Sequence, residues 1–224
     1  MKRTPLAERT LPAYTRGEEI TNVVTHIVGG GFAAAALVLC VVFAALHGNI
    51  WGVVSGAVYG VSMVALYTMS SLYHGLPPQG FAKRVFQVID HCSIFVLIAG
   101  TYTPVTLCGV RPYNEPMAWT LFGVVWGLAA LGIVLNAIDL RQFRIVSMIL
   151  YLGMGWCIVL AAPTVLQKTD PAAIWLLVLG GVAYTVGAIF YMAGKKRRYA
   201  HSIFHVFVVV GSILQFLCIL LYWM

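Results

Sequence analysis

Seven nearly unbroken apolar runs follow one another along the chain, at roughly 23–46, 51–73, 86–108, 117–137, 145–162, 172–193 and 201–223. Each approaches the ~20 apolar residues that a helix needs to cross the hydrocarbon core of a bilayer. None shows the alternation over about ten residues that marks a membrane β-strand, and only helices or closed barrels satisfy their backbone groups in lipid. The pattern predicts an all-α, polytopic membrane protein with seven transmembrane helices. The connections are too short for a soluble domain, so residues 1–224 read as a single seven-helix transmembrane domain with a polar tail over 1–22. The first run is longer than a signal-peptide core, and no small-residue cleavage site stands out, so it is expected to be kept as a span.

Composition sharpens this. Apolar residues make up 61% of the chain and charged residues only 9%, against about 25% charged in a soluble domain. Mean hydropathy is +0.90, which excludes a water-soluble globule. The formal charge of +7 would suggest an acidic partner if the basic residues shared one soluble face, but they sit between the apolar runs. Lys2, Arg3, Arg9 and Arg16 precede the first run, and Lys83 and Arg84 precede the third. Arg141 and Arg144 follow the fourth, and Lys195 to Arg198 follow the sixth, all on one side of the membrane. Only Arg111 and Lys168 fall on the other side. Because cytoplasmic loops carry the lysine and arginine excess, the N-terminus is expected in the cytoplasm and the C-terminus outside. The basic residues then act as topology signals and contacts to anionic headgroups, not as a nucleic-acid surface. The cysteines, dispersed and without CxxC spacing, read as packing residues.

This topology gives each ionisable residue a depth, which is informative because charge in lipid is costly. His26, His74, Asp90, His91, His201 and His205 all fall in the cytoplasmic leaflet, and His47 alone lies in an outer turn. His201 and His205 are four apart on one helical face, a spacing that lets a helix chelate one metal. The alternative is a pair of histidines hydrogen-bonded between helices. No glutamate follows the first histidine, so this is not the HExxH protease motif. His74, which closes the second run at a comparable depth, is the candidate third ligand; the plain alternative is an interfacial histidine beside Tyr73. Three imidazoles would leave the fourth position of tetrahedral zinc open, as catalytic sites do. Two roles fit Asp90: accepting a proton from metal-activated water, or ligating the ion and closing the site. Ser70 shares a face with His74 and could hydrogen-bond a substrate carbonyl or its own helix backbone. Glu18, Asn22 and His26 repeat at four-residue spacing, as a stripe supporting the ligands or as the solvated entry of a helix whose positive N-terminal end favours Glu18 and Glu19. Asn136 and Asp139 could face a polar cavity, and Pro104 is expected to kink the third helix.

Taken in order, Glu18-xxx-Asn22-xxx-His26, Ser70-xxx-His74, Asp90 and His201-xxx-His205 resemble the motifs of the hemolysin III branch of the progestin and adipoQ receptor family, within the alkaline-ceramidase-like superfamily. The resemblance covers nearly the whole chain. It implies that His74, His201 and His205 hold zinc, that Asp90 contacts the metal water and that Ser70 lies beside it; Glu18, Asn22, His26 and His91 stand as candidate supports of the ligands. It also implies a bacterial inner-membrane protein whose partners are membrane lipids. Three functions follow as expectations. The first is a zinc-dependent intramembrane hydrolase of a lipid amide or ester; the second is a non-enzymatic lipid-homeostasis sensor with structural zinc. The third, a hemolysin III-type cytolysin, is disfavoured by the lack of an amphipathic pore stripe.

Overall fold

The computed structural model describes residues 4–78, 80–193 and 197–224; the basic positions Lys2, Arg3, Lys195 and Lys196 lie outside the described residues. All regular elements among the described residues are helical. The long helices are α1 (Arg16–Leu46), α2 (Ile50–Gly75), α3 (Phe81–Pro104) and α4 (Glu115–Asp139). They continue with α5 (Arg144–Gly155), the short α6 (Ala162–Lys168), α7 (Pro171–Ala193) and α8 (Ala200–Trp223). With α5 and α6 taken as one span, seven segments are long and apolar enough to cross a membrane.

The bounds differ from the sequence reading where local chemistry intervenes. Helix α1 starts at Arg16, inside the stretch read as tail, because Thr15 and Glu18 form a reciprocal capping box that satisfies two orphan amides. Glu18, Asn22 and His26 therefore ride on a formed helix. Pro104 has no N–H to bond the preceding turn, and α3 passes there into a π-helical turn over Val105–Val110. The fifth span is interrupted: α5 stops at Gly155, a 3₁₀ turn follows over Cys157–Ala161, and α6 completes the crossing.

Small residues let these helices approach closely, as membrane packing requires. Ala33, Ala36 and Cys40 of α1 pack on Tyr59, Met63 and Tyr67 of α2 and on Val208, Phe216 and Ile219 of α8. Of the three consecutive glycines of α1, only Gly29 is demanded by its neighbour: a Cβ there would stand 2.5 Å from the Tyr67 ring, while Gly31 has open space. Ser212 of α8 is a polar knot, accepting from Tyr67 at 2.8 Å and meeting Tyr184 of α7 at 2.9 Å. Asn136 and Asp139 prove to be cross-links. Asn136 binds Tyr151 at 3.2 Å and accepts from Ser147 at 2.6 Å. Asp139 accepts the backbone N–H groups of Thr4, Arg141 and Gln142, so the segment before α1 is strapped to the end of α4.

Candidate metal centre

Helices α2 and α8 bring His74, His201 and His205 together, each with a ligand nitrogen within 4.8 Å of the other two, and all three are buried. His201 Nε2 lies 3.3 Å from His74 Nε2 and 3.1 Å from His205 Nε2. The far side of the rings explains the convergence. His74 Nδ1 meets Glu19 Oε2 at 2.6 Å, and His205 Nδ1 meets the Asn22 carbonyl at 3.3 Å. Asn22 Nδ2 also lies 3.3 Å from His74 Nδ1, but the shorter contact to the Glu19 carboxylate decides the proton there, and the Asn22 carbonyl is an acceptor, so each Nδ1 carries its ring's proton and each Nε2 presents a lone pair inward. This tautomer is assigned from the hydrogen-bond pattern. A single His201 Nε2 proton cannot satisfy both facing lone pairs well, whereas one cation between the three nitrogens does. The donor set therefore fits a metal ion.

Glu19 is the residue the sequence reading missed. The four-residue stripe pointed to Glu18, but the histidine partner is Glu19, one position round the helix. Glu19 is held in turn by Lys83 at 2.8 Å. Lys83, read above as a topology signal, is only 2% exposed and also donates to the His74 and Leu76 carbonyls. A buried ammonium of this kind survives only when paired. Glu18 instead accepts the Tyr199 N–H at 2.8 Å. Tyr199 adopts a left-handed φ of 60°, rare without glycine, and the bond to Glu18 helps hold this turn just before His201.

Asn22 accepts from Ser202 at 2.6 Å, tying α1 to α8. His26 stacks on His205 at 3.7 Å between centroids and 10° between planes. Tyr14 stacks on His201 at 5.0 Å and covers the cluster from the chain's N-terminal side. Its burial pushes the phenol well above the ordinary tyrosine value, so the covering ring stays neutral.

Asp90 stands outside the three-histidine cluster. It lines the same cavity as Ser70, His26, His201 and His205, with His91 Nδ1 3.4 Å from its Oδ2. The His91 Nε2 meets the Tyr191 hydroxyl at 3.1 Å. Beyond this polar mouth the cavity continues between α3, α5, α7 and α8, past Leu97, Met148, Phe204 and Val208 to Tyr102 and Gln215. Its enclosed volume is ≈ 130 Å³.

Fold and site together define a seven-span integral membrane protein with a buried three-histidine cluster at the head of a deep, mainly apolar cavity. The profile of the family described as "Haemolysin-III related" matches residues 14–216, and the chain belongs to that family. It is 41% identical over 209 residues to the "Hemolysin-3 homolog" of Bacillus subtilis (strain 168), covering 93% of this chain and 96% of that one. It is 39% identical over 205 residues to "Hemolysin-3" of Bacillus cereus, covering 92% and 91%. The human "Monocyte to macrophage differentiation factor" is 25% identical over 225 residues, covering 97% of this chain and 88% of that one. The family resemblance read from the motifs is thereby borne out, and the human relative supports the progestin and adipoQ receptor branch. Seven spans and the Bacillus relatives mark an integral bacterial membrane protein.

Proposed function

We propose that the chain is a zinc-dependent intramembrane hydrolase of a lipid amide or ester, with His74, His201 and His205 as metal ligands and Asp90 and Ser70 as catalytic groups. The observation that carries the reading is the junction of two features: two of the three clustered imidazoles, His201 and His205, line with Asp90 and Ser70 a mainly apolar cavity that runs on between α3, α5, α7 and α8. Two of the three edges, 3.1 and 3.3 Å, match the separation of about 3.3 Å between nitrogens of a tetrahedral zinc with Zn–N near 2.0–2.1 Å. Zinc bound there would polarise a carbonyl and lower the pKa of water toward neutrality.

The chain's own residues do the rest. Asp90 accepts the proton of the attacking water and returns it to the departing amine or alkoxide as the acyl C–N or C–O bond breaks. Ser70, on the cavity wall, donates to the substrate carbonyl oxygen. Glu19 and Lys83 fix the His74 ring, and Asn22 and His26 hold His205. The apolar walls align the chain and exclude bulk water. A sensor with purely structural zinc would have no need of an acidic side chain and a deep cavity opening beside the ligands; the cytolysin reading rests on relatives' names. Residues 1–224 are read as one domain, and the basic-residue bias supports a metal end in the cytoplasmic leaflet with the N-terminus.

The test is hydrolysis by detergent-purified protein of a fluorescent long-chain N-acyl amide and its matching ester. Turnover that stops in His205→Ala supports the mechanism. Loss of bound zinc in that variant with undiminished hydrolysis removes it.

A further inference from the structure

The cavity that opens at the histidines does not end in a purely apolar tip. Ten residues beyond His205 on α8, about 15 Å along the helix axis, Gln215 lines its far end beside Thr101, Tyr102 and Trp156. Gln215 is only 6% exposed. Its Nε2 donates to the Leu177 carbonyl of α7 at 3.0 Å, which fixes the sense of the amide. Its Oε1 is buried and has no hydrogen-bond partner among the described residues. A buried acceptor left unpaired is costly enough that each such group calls for an explanation.

The neighbouring polar groups do not provide one. The Tyr102 hydroxyl donates to the Gly155 carbonyl at 2.9 Å and accepts from Ile158 N at 2.8 Å. Trp156 Nε1 donates to Thr185 at 3.1 Å, and the Thr101 hydroxyl donates to the Leu97 carbonyl at 2.8 Å. These side-chain donors are spent, while Gln215 Oε1 and the remaining Thr101 lone pair are acceptors without a donor. None of the residues around this end carries a formal charge. The complement is a neutral hydrogen-bond donor carried on an apolar chain. A span of ~15 Å is half of a ~30 Å hydrocarbon core, so a chain whose head group sits at the histidines carries such a donor near the bilayer midplane. A hydroxyl there finds no partner in the lipid itself.

We propose that the far end of the cavity is a subsite for a hydroxyl near the tail of the bound acyl chain, read by Gln215 Oε1, so that the lipid recognised is hydroxylated toward its tail. This deepens the hydrolase reading and rests on it. The test uses two probes of equal length, dodecanohydroxamic acid and its 12-hydroxy analogue, titrated into the detergent-purified, zinc-loaded full chain. The hydroxamate chelates at the histidines and sets the register. Wild-type protein is expected to bind the hydroxylated probe about fivefold more tightly, the worth of one net hydrogen bond. Gln215→Leu is expected to lose or reverse that preference while holding the plain probe as tightly, which also shows that it is folded. Equal affinities in the wild type overturn the subsite and leave the metal centre standing, as does an unchanged preference in Gln215→Leu. Failure of both probes to bind wild-type protein that also takes up no zinc overturns the hydrolase reading, and the subsite with it.

Discussion

The third and fifth spans border the same cavity and are built on opposite terms. In the apolar stretch of the third span 78% of the residues are buried, against 17% in the fifth. The third carries Lys83, Asp90 and His91, each engaged by a neighbour. The fifth is broken between Gly155 and Ala162 and turns Ile145, Ile149, Val159 and Leu160 outward. One bundle can meet two demands in this way. A reacting group has to be held within a fraction of an ångström, which needs packing on every side. On the hydrolase reading proposed above, a cavity that takes a lipid has to stay accessible, which a lightly packed outer wall allows.

The sharpest challenge to this division is Asp90→Asn. It keeps the shape of the third span and removes the proton acceptor, so hydrolysis of the amide probe is expected to fall about 10²–10⁴-fold with zinc retained. Unchanged turnover would strip the third span of its chemical role. Next comes Glu19→Gln, which leaves a hydrogen bond to His74 but removes the charge paired with Lys83. Zinc affinity, followed by competition with a chelator, is expected to weaken by about 10–100-fold. No change would reduce Glu19 to an ordinary surface partner.

Two alanine substitutions compare the walls directly by unfolding in mixed micelles. Gly132→Ala drives a methyl into the ring of Phe95 on α3, which is fully buried, and is expected to cost about 1–3 kcal/mol. Gly153→Ala on α5 meets nothing within 4 Å and is expected to change stability by no more than about 0.5 kcal/mol. Equal costs at the two sites would erase the contrast between the spans.

What the sequence made legible follows the same division. Seven spans could be read because twenty consecutive apolar residues have few alternatives in a protein of this composition, and the histidine pair of α8 because a four-residue spacing fixes one face. Its comparable depth at the end of the second run then brought His74 into the set. Glu19 was hidden because a strict four-residue repeat favours Glu18; the choice between the two depends on the rotation of α1 against α2, which only tertiary packing sets. The capping box Thr15-xx-Glu18 was a local signal that could have shown Glu18 to be a helix start. Lys83 looked like a topology mark because it stands beside Arg84 between two apolar runs, while the groups that pair with it, Glu19 and the carbonyls of His74 and Leu76, come from α1 and the end of α2. The break at Gly155 and the orphaned oxygen of Gln215 carry no local signature at all: they acquire meaning only where α3, α5, α7 and α8 surround a common space.

Elemental analysis of detergent-purified wild-type protein beside His201→Ala reads whether three imidazoles from α2 and α8 share one ion. Close to one zinc per chain in the wild type, and close to none in the variant, is the expected result. A wild-type protein that holds no more metal than His201→Ala after purification in zinc-replete buffer would contradict it.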